Sequence, residues 1–349
     1  MPNDKPLKIL VVGCGSIGRR HIRLLKEMGV EVDACDTDPR AGLALYREYG
    51  SPTISEKQGC KWPFKVWGTY RGICEQYDGA IIATPNHLHY DAAREAIVDG
   101  RMSAVMIEKP LAHDLNDAEH ILLHADTEEV PLLVGYCLRF HPGLRRTKGI
   151  IDSGAIGTVR HASIHFGSYL PDWRPGIDYR TNYAASRKTG GGILMDASHE
   201  LDYACWLFGQ PVSVSCTMQN SGALQIETED IADLVVRFES GVQASIHLDY
   251  LDQEAQRGCR IVGDTGSIDW NFNAWVVKVS KKAGKHTYEH QGQAQPFHPD
   301  DMYRAELRHF LACIRGEEKP LVTGEDGLRA VQIVEAARKA SDTGRVVNI

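Results

Sequence analysis

The sequence predicts an α/β chain in two parts: a doubly wound parallel sheet over residues 1–135, then an α+β region over 136–349 with an open, largely antiparallel sheet. Three observations carry this. Up to Gly135, short β-branched runs alternate with helical stretches, the rhythm of strands joined by crossover helices. Beyond Gly135, strands follow one another across short turns, which antiparallel pairing allows and parallel pairing does not. The chain has 349 residues, 43% hydrophobic and 24% charged, an ordinary globular balance with enough length for two cores.

In order, the expected strands of the first part are Lys8–Val12, Val30–Asp36, Gly79–Thr84, Ala104–Glu108 and Leu132–Gly135. Apolar residues at helical spacing mark His21–Met28, Ala41–Tyr49, Asp91–Asp99 and Leu115–Ala125, and Gly29, Gly50 and Gly100 stand where helix C-caps belong. The second part opens with a helix over Pro142–Ser153, followed by strands such as Thr158–Phe166, Ile231–Phe238, Val242–Asp249 and Arg257–Gly263. Gly222–Glu229 and Lys281–Pro299 are expected as surface loops. Helices over Asp301–Arg315 and Asp326–Ala340 close the chain, the second capped by Thr323 with Asp326 three residues on.

Composition excludes several classes of function. A net charge of -7 with no Lys/Arg block argues against a nucleic-acid partner, which needs a clustered basic face. The apolar run Ile9–Val12 is too short for a signal segment or a membrane span, so a cytoplasmic protein without a membrane partner is expected. Nine cysteines at irregular spacing, without a C-x-x-C pair, imply neither a disulfide framework nor a zinc site. His87 and His89 are only two imidazoles, weak evidence for a ligand set, and no metal is expected.

The most informative motif is Gly13-Cys14-Gly15-Ser16-Ile17-Gly18, directly after a buried strand and at the start of a helix. Gly13 permits the tight turn, Gly15 lets the backbone approach a pyrophosphate, and Gly18 allows close helix-to-strand packing. The helix start, with Ser16 and Ile17, then offers N–H donors to phosphate. Asp36, at the end of the second strand, stands where an acid takes ribose hydroxyls and would repel a 2′-phosphate, which favours NAD over NADP. Arg40, just beyond, is a guanidinium able to accept that phosphate and keeps NADP open. Residues 1–135 are thus expected to be a Rossmann dinucleotide-binding domain, with Thr84, Pro85, Asn86 and His89, after the third strand, on its cofactor side.

Glu108-Lys109-Pro110 places a charged pair at the mouth of another buried strand, where packing does not call for one. Lys109 is a candidate to donate to a substrate hydroxyl or carbonyl oxygen, with Glu108 tuning it and touching the cofactor side. Further on, Gly190-Gly191-Gly192 runs into a helix carrying Asp196, His199 and Asp202 every third residue, hence on one face. A carboxylate beside an imidazole suits a general acid/base near neutral pH, and whether Asp196 or Asp202 serves His199 stays open.

Together, Gly13–Gly18, Ala83–Asn86, Glu108–Pro110 and Gly190–Asp202 resemble the glucose-fructose oxidoreductase, inositol dehydrogenase and rhizopine catabolism (Gfo/Idh/MocA) family across most of the chain. The resemblance implies NAD or NADP as cofactor, and catalytic roles for Lys109, Asp196 and His199. It implies a secondary alcohol of a sugar, inositol or sugar acid as substrate, with 136–349 forming the substrate-binding and oligomerisation domain of a homodimer or homotetramer. Two departures stand out: only Ala197 and Ser198 separate Asp196 from His199, where three residues are common, and Gly135-Tyr136-Cys137 replaces the usual Gly-Tyr-Asn. Arg139 is expected to contact substrate, and so is the aromatic, Arg-rich stretch with Trp173, Arg174, Tyr179 and Arg180, sugar faces stacking on aromatic rings and Arg forks holding anionic groups, with a subunit contact as the alternative for that stretch. Two other readings remain: a retained-NAD enzyme that cleaves glycosides or epimerises, and a non-catalytic NAD-binding sensor.

Overall fold

The computed structural model describes residues 6–38, 40–41, 45, 77–100, 102–281, 285–290 and 298–349. They fall into two compact units, Met1–Gly135 with Tyr303–Leu328, and Tyr136–Met302 with Arg329–Ile349.

In the first unit, β1 (Lys8–Val12), β2 (Glu31–Cys35), β3 (Gly79–Ile82), β4 (Ala104–Glu108) and β5 (Leu132–Gly135) form a parallel sheet in the order β2-β1-β3-β4-β5. Runs such as Ile-Leu-Val-Val in β1 are apolar at every position because helices leave neither face to water. The order reverses between β1 and β3, the place where such sheets bind ligands beyond their carboxyl ends. Helix α1 (Ser16–Glu27) begins five residues before the expected His21, because its first turn is written in the glycine motif and carries no apolar stripe. Helix α2 (His89–Arg94) runs into a π turn over Glu95–Asp99, and α3 (Leu115–Thr127) is capped by Asp114, which accepts from Asp117 N–H at 2.9 Å. Gly100 closes its helix with ordinary right-handed geometry, unlike Gly29 at φ +76°. Most of the helix expected over Ala41–Tyr49, and Gly50, lie outside the described residues.

Tyr303–Leu328 joins this first unit, although the sequence expectation placed it in the second. Leu307, Phe310, Leu311, Cys313 and Ile314 share one core with Ile9, Val11, Ile81 and Ala104. Leu307 and Phe310 are fully buried, and each such side chain contributes about 1.5–3 kcal/mol. That burial decides the membership.

In the second unit, β6 (Val159–Gly167), β7 (Pro211–Gln219), β8 (Ile231–Phe238), β9 (Gln243–Asp249), β10 (Gln256–Gly263), β11 (Gly266–Asn271), β12 (Val276–Lys281), β13 (Lys285–His290) and β14 (Val347–Asn348) form one sheet. Its order is β13-β12-β11-β10-β6-β9-β8-β7-β14, and only the β6–β9 pair is parallel. Strand β8 shows why the sheet has a covered and an open face: Ala232, Leu234, Val236 and Phe238 are buried while Asp233 and Arg237 are exposed. Strand β13 lies inside the stretch expected as a loop, Lys281–Pro299. Its sequence has no apolar period-two face, so ladder hydrogen bonds to β12, which periodicity does not reveal, define it. Among the described residues no helix is long and apolar enough to cross a membrane.

Helix α4 (Pro142–Asp152) starts on an unusual cap: His141 Nδ1 accepts from the N–H groups of Gly143 at 3.0 Å and Leu144 at 3.4 Å. Only a neutral imidazole can accept there. Burial, and then the Arg257 guanidinium, pull the His141 pKa from 6.5 down to about 4. The unfolded chain therefore takes up a proton near the ordinary value while the folded chain resists until about pH 4, so stability is whole above 6.5 and is lost as pH falls through that window. His141→Asn, which can cap without titrating, is expected to flatten the pH dependence of the urea midpoint between those limits. Superimposable profiles for the two proteins would exclude the cap as its source.

Candidate functional site

Gly13 follows β1 with φ +97°, and a Cβ there would lie 2.5 Å from the carbonyl oxygen of Ala83, so only glycine lets the β1 and β3 exits close on each other. A Cβ on Gly18 would fall 1.8 Å from the Gly13 carbonyl oxygen. Around Gly15 the space is open, with Gly15 and Ser16 exposed. The first turn of α1 has no acidic residue and no side-chain cap, so its N–H groups face outward for an anion. Asp36 Oδ2 accepts from Cys14 N–H at 2.7 Å and Oδ1 from Asp38 N–H at 2.8 Å. The carboxylate thus ties the glycine loop to the end of β2. Cys14 is an inert member of that loop, its thiol pushed up to about 12 by burial and then by Asp36. The free cysteines are buried apart from a half-buried Cys216, among the described residues. These residues fit a dinucleotide: an open glycine edge, outward helix N–H donors and an acid at the second strand's end.

Arg40 is exposed and forks onto Asp38 through Nε and Nη2, at 2.9 to 3.1 Å. Thr84 and Pro85 lead from β3 into a short turn with Asn86, which is buried. His89 is fully buried, and its Nδ1 and Nε2 each lie 2.9 Å from a backbone carbonyl oxygen, that of Pro110 and that of Thr84. Expected on the cofactor side, His89 turns inward instead and braces the β3 exit against the β4 exit. Glu108 likewise faces inward: Oε1 lies 2.6 Å from His21 Nε2, and Oε2 accepts from Lys109 N–H at 3.3 Å. Lys109 itself is half-buried at the carboxyl end of β4, on the sheet edge that carries Gly13 and Thr84.

In the second unit, Asp196 ends the short helix α5 (Ile193–Asp196) and His199 lies in the first turn of α6 (Ser198–Phe208). Ala197 breaks the helix between them, so the expected single face holds only for His199 and Asp202. Gly192, at φ +110°, allows this approach, since a Cβ would fall 2.2 Å from Glu229 Oε1. Burial raises the Glu229 carboxyl above its usual range. Asp196 Oδ2 accepts from Tyr250 O–H at 2.5 Å, and Tyr250 is fully buried. Burial and then the Asp196 charge push both the Tyr250 and Tyr183 phenols well above 10, which keeps them as proton donors to that carboxylate.

The aromatic loop closes on the same cluster. Trp173 packs edge-on to Tyr250 with centroids 5.4 Å apart and donates Nε1–H to Ser168 Oγ at 2.9 Å. The Arg174 guanidinium lies 5.3 Å from the centre of the Tyr183 ring. Tyr179 instead donates to the Leu224 carbonyl at 3.0 Å, and Arg180 is exposed and forks onto Asp178. Arg139 is another departure from expectation. It is 2% exposed, and its Nε and Nη2 hold the two oxygens of Asp202 at 2.9 and 2.6 Å. That pairing makes Arg139 an interior strut and commits Asp202 to it. His199 has the Tyr136 ring edge-on, at 5.4 Å between centroids.

Sequence reasoning missed Tyr250, Tyr183, Glu229 and His21. For Tyr250 the signal was present, since it directly follows the alternating strand β9; for the others only the folded chain supplies the neighbour.

A switch-point glycine loop, a carboxylate at the end of β2 and a lysine at the exit of β4 define a dinucleotide-dependent oxidoreductase. A family model described as the oxidoreductase family with NAD-binding Rossmann fold matches residues 7–136, and the GFO/IDH/MocA C-terminal domain matches residues 144–269. The chain belongs to the GFO/IDH/MocA family of NAD-binding oxidoreductases. It is 29% identical to 1,5-anhydro-D-fructose reductase of Ensifer adhaerens, over 78% of this chain and 80% of that protein. With scyllo-inositol 2-dehydrogenase (NAD(+)) of Bacillus subtilis it shares 27% identity over 99% of this chain and 97% of the relative. Its fold matches that of levoglucosan dehydrogenase in complex with NADH, at a TM-score of 0.85 and 18% identity, over 99% of each chain.

Proposed function

We propose that the chain interconverts a secondary alcohol and a ketone on a sugar, cyclitol or sugar acid, with NAD as the hydride partner and with Lys109 and His199 in acid/base roles. The observation that carries this reading is the Asp196 cluster, in which two phenols, an indole and a guanidinium gather around a buried carboxylate three residues before His199. Indole and phenol faces suit the C–H faces of a sugar ring, and Arg174 suits its hydroxyls or an acidic group. The names of the relatives, which are reductases and dehydrogenases of sugars and inositols, support the substrate class.

Gly13, Gly15 and Gly18 with the α1 N-terminus would hold the pyrophosphate, Asp36 the adenosine ribose, and Thr84, Pro85 and Asn86 the nicotinamide side. When bound, the nicotinamide accepts a hydride from the carbinol carbon or returns it to the ketone. Lys109 donates a hydrogen bond to the reacting oxygen and takes or gives its proton, sharing that task with His199, while Asp196 and Trp173 orient the ring. The second unit supplies substrate binding and self-assembly into a homodimer or homotetramer. Its open sheet face bears a cavity of about 680 Å³ lined by Ser163, His165, Thr217, Asp233, Ser245 and His247, a surface distinct from the Asp196 cluster.

The deciding test is NADH formation, followed by fluorescence, across a panel of aldoses, inositols and sugar acids. Substrate-dependent turnover supports the reading, whereas NAD binding without turnover on every compound would favour a sensor. Asp36→Ser is expected to lower the ratio of kcat/KM for NAD over NADP by about tenfold, equivalent to about 1.4 kcal/mol of relieved repulsion. An unchanged ratio would remove Asp36 from the cofactor's ribose.

A further inference from the structure

The partner of Glu108 is a residue to which neither the glycine motif nor the acid/base reading gives any task. His21 stands three residues beyond Gly18 on α1, fully buried, with its ring edge-on to Tyr303 at 5.8 Å between centroids. Its Nε2 lies 2.6 Å from Glu108 Oε1, while its Nδ1 has no hydrogen-bond partner among the described residues. Glu108, 8% exposed, is wedged on its other side by β5, where a Cβ on Gly135 would come within 3.0 Å of its carboxyl carbon. Its second oxygen accepts the backbone N–H of Lys109.

Packing explains this arrangement badly. A buried polar atom without a partner is destabilising, and an apolar pair of the same shape would fill the space without that cost. What the imidazole and carboxylate do, and an apolar pair would not, is join helix α1, at the glycine loop, to the peptide that carries Lys109.

We propose that His21 and Glu108 form a buried positioning pair that fixes the Lys109 backbone, a role that rests on the acid/base reading of Lys109 above. The groups facing the pair are Lys109 and its neighbour His89, which feels the Glu108 charge, with Tyr303 against His21 and Arg20 over the Tyr303 ring. Removing the carboxylate takes away the acceptor of the Lys109 N–H, and removing the imidazole frees the carboxylate to turn away from it.

The test is hydrogen exchange of the Lys109 amide, read by peptide mass spectrometry on the full chain. Glu108→Ala, which removes the acceptor of that amide, and His21→Phe, which removes the partner of Glu108, are each expected to raise its exchange at least about tenfold, while Glu108→Gln, which keeps the volume and an acceptor oxygen, recovers most of the protection. NADH affinity, read by fluorescence, is expected to stay within about threefold in all three, since a 0.6 kcal/mol change is the most a retained fold should show. Exchange that matches the parent in Glu108→Ala or His21→Phe, exchange that rises equally throughout the first unit, or no recovery in Glu108→Gln overturns the proposal; should His21→Phe fail to fold, His21→Gln is read in its place. Activity of Lys109→Met separates the two claims: an active Lys109→Met overturns the acid/base reading, while an inactive one with unmoved exchange in the pair variants overturns only the pair.

Discussion

Lys109→Met is expected to lower kcat by about 10³-fold while leaving the NADH dissociation constant within about threefold, the usual range of a lost general acid/base being 10²–10⁴. Lys109 sits one residue past β4, half-buried, with the backbone around it held on two sides. Glu108 takes its N–H, and His89 grips the Pro110 carbonyl just beyond. The substitution removes the ammonium while both backbone braces stay, because neither brace involves the lysine side chain. Lys109→Arg is a sharper control: it keeps the charge, but a planar fork that does not deprotonate replaces a titratable point charge. If both variants retain kcat and only weaken NADH, Lys109 is a cofactor ligand and the acid/base assignment fails.

Arg139→Ala is expected to destabilise the chain by about 3–5 kcal/mol, because it strands the Asp202 carboxylate in the interior without its guanidinium. Both side chains are almost fully buried, 2% and 1% exposed, and two parallel N–H···O bonds join them. Replacing both members by apolar residues of similar size, Arg139→Met with Asp202→Leu, is expected to recover much of the loss, since the cost lies in the unpaired charge rather than in the missing pair. Urea unfolding of the single and double variants measures the coupling. A raised KM with unchanged unfolding in Arg139→Ala would instead return Arg139 to the substrate contacts that the sequence suggested.

Arg139 shows where sequence reading stops. A conspicuous Arg close to Gly135-Tyr136 reads as a ligand contact, and nothing in its surroundings announces that Asp202, far along the chain, will take two of its three guanidinium nitrogens. His89 and Glu108 are the same case. Their positions at strand exits were legible, but the direction of each side chain depends on carbonyls and imidazoles brought in by other crossovers. Tyr183, Tyr250 and Glu229 gather around Asp196 only because β8, β9 and the Gly190–Gly192 loop meet there.

By itself the sequence determined the strands of the first sheet, the glycine loop with its acid at Asp36, and the family, because these depend on local period, glycine conformation and fixed spacing. Only the tertiary structure decided that Tyr303–Leu328 belongs with the first sheet, that Lys285–His290 is a strand, and which charged residues are struts rather than contacts. Those outcomes depend on burial against distant partners and on which hydrogen-bonding groups remain after folding, quantities that no local window of residues contains.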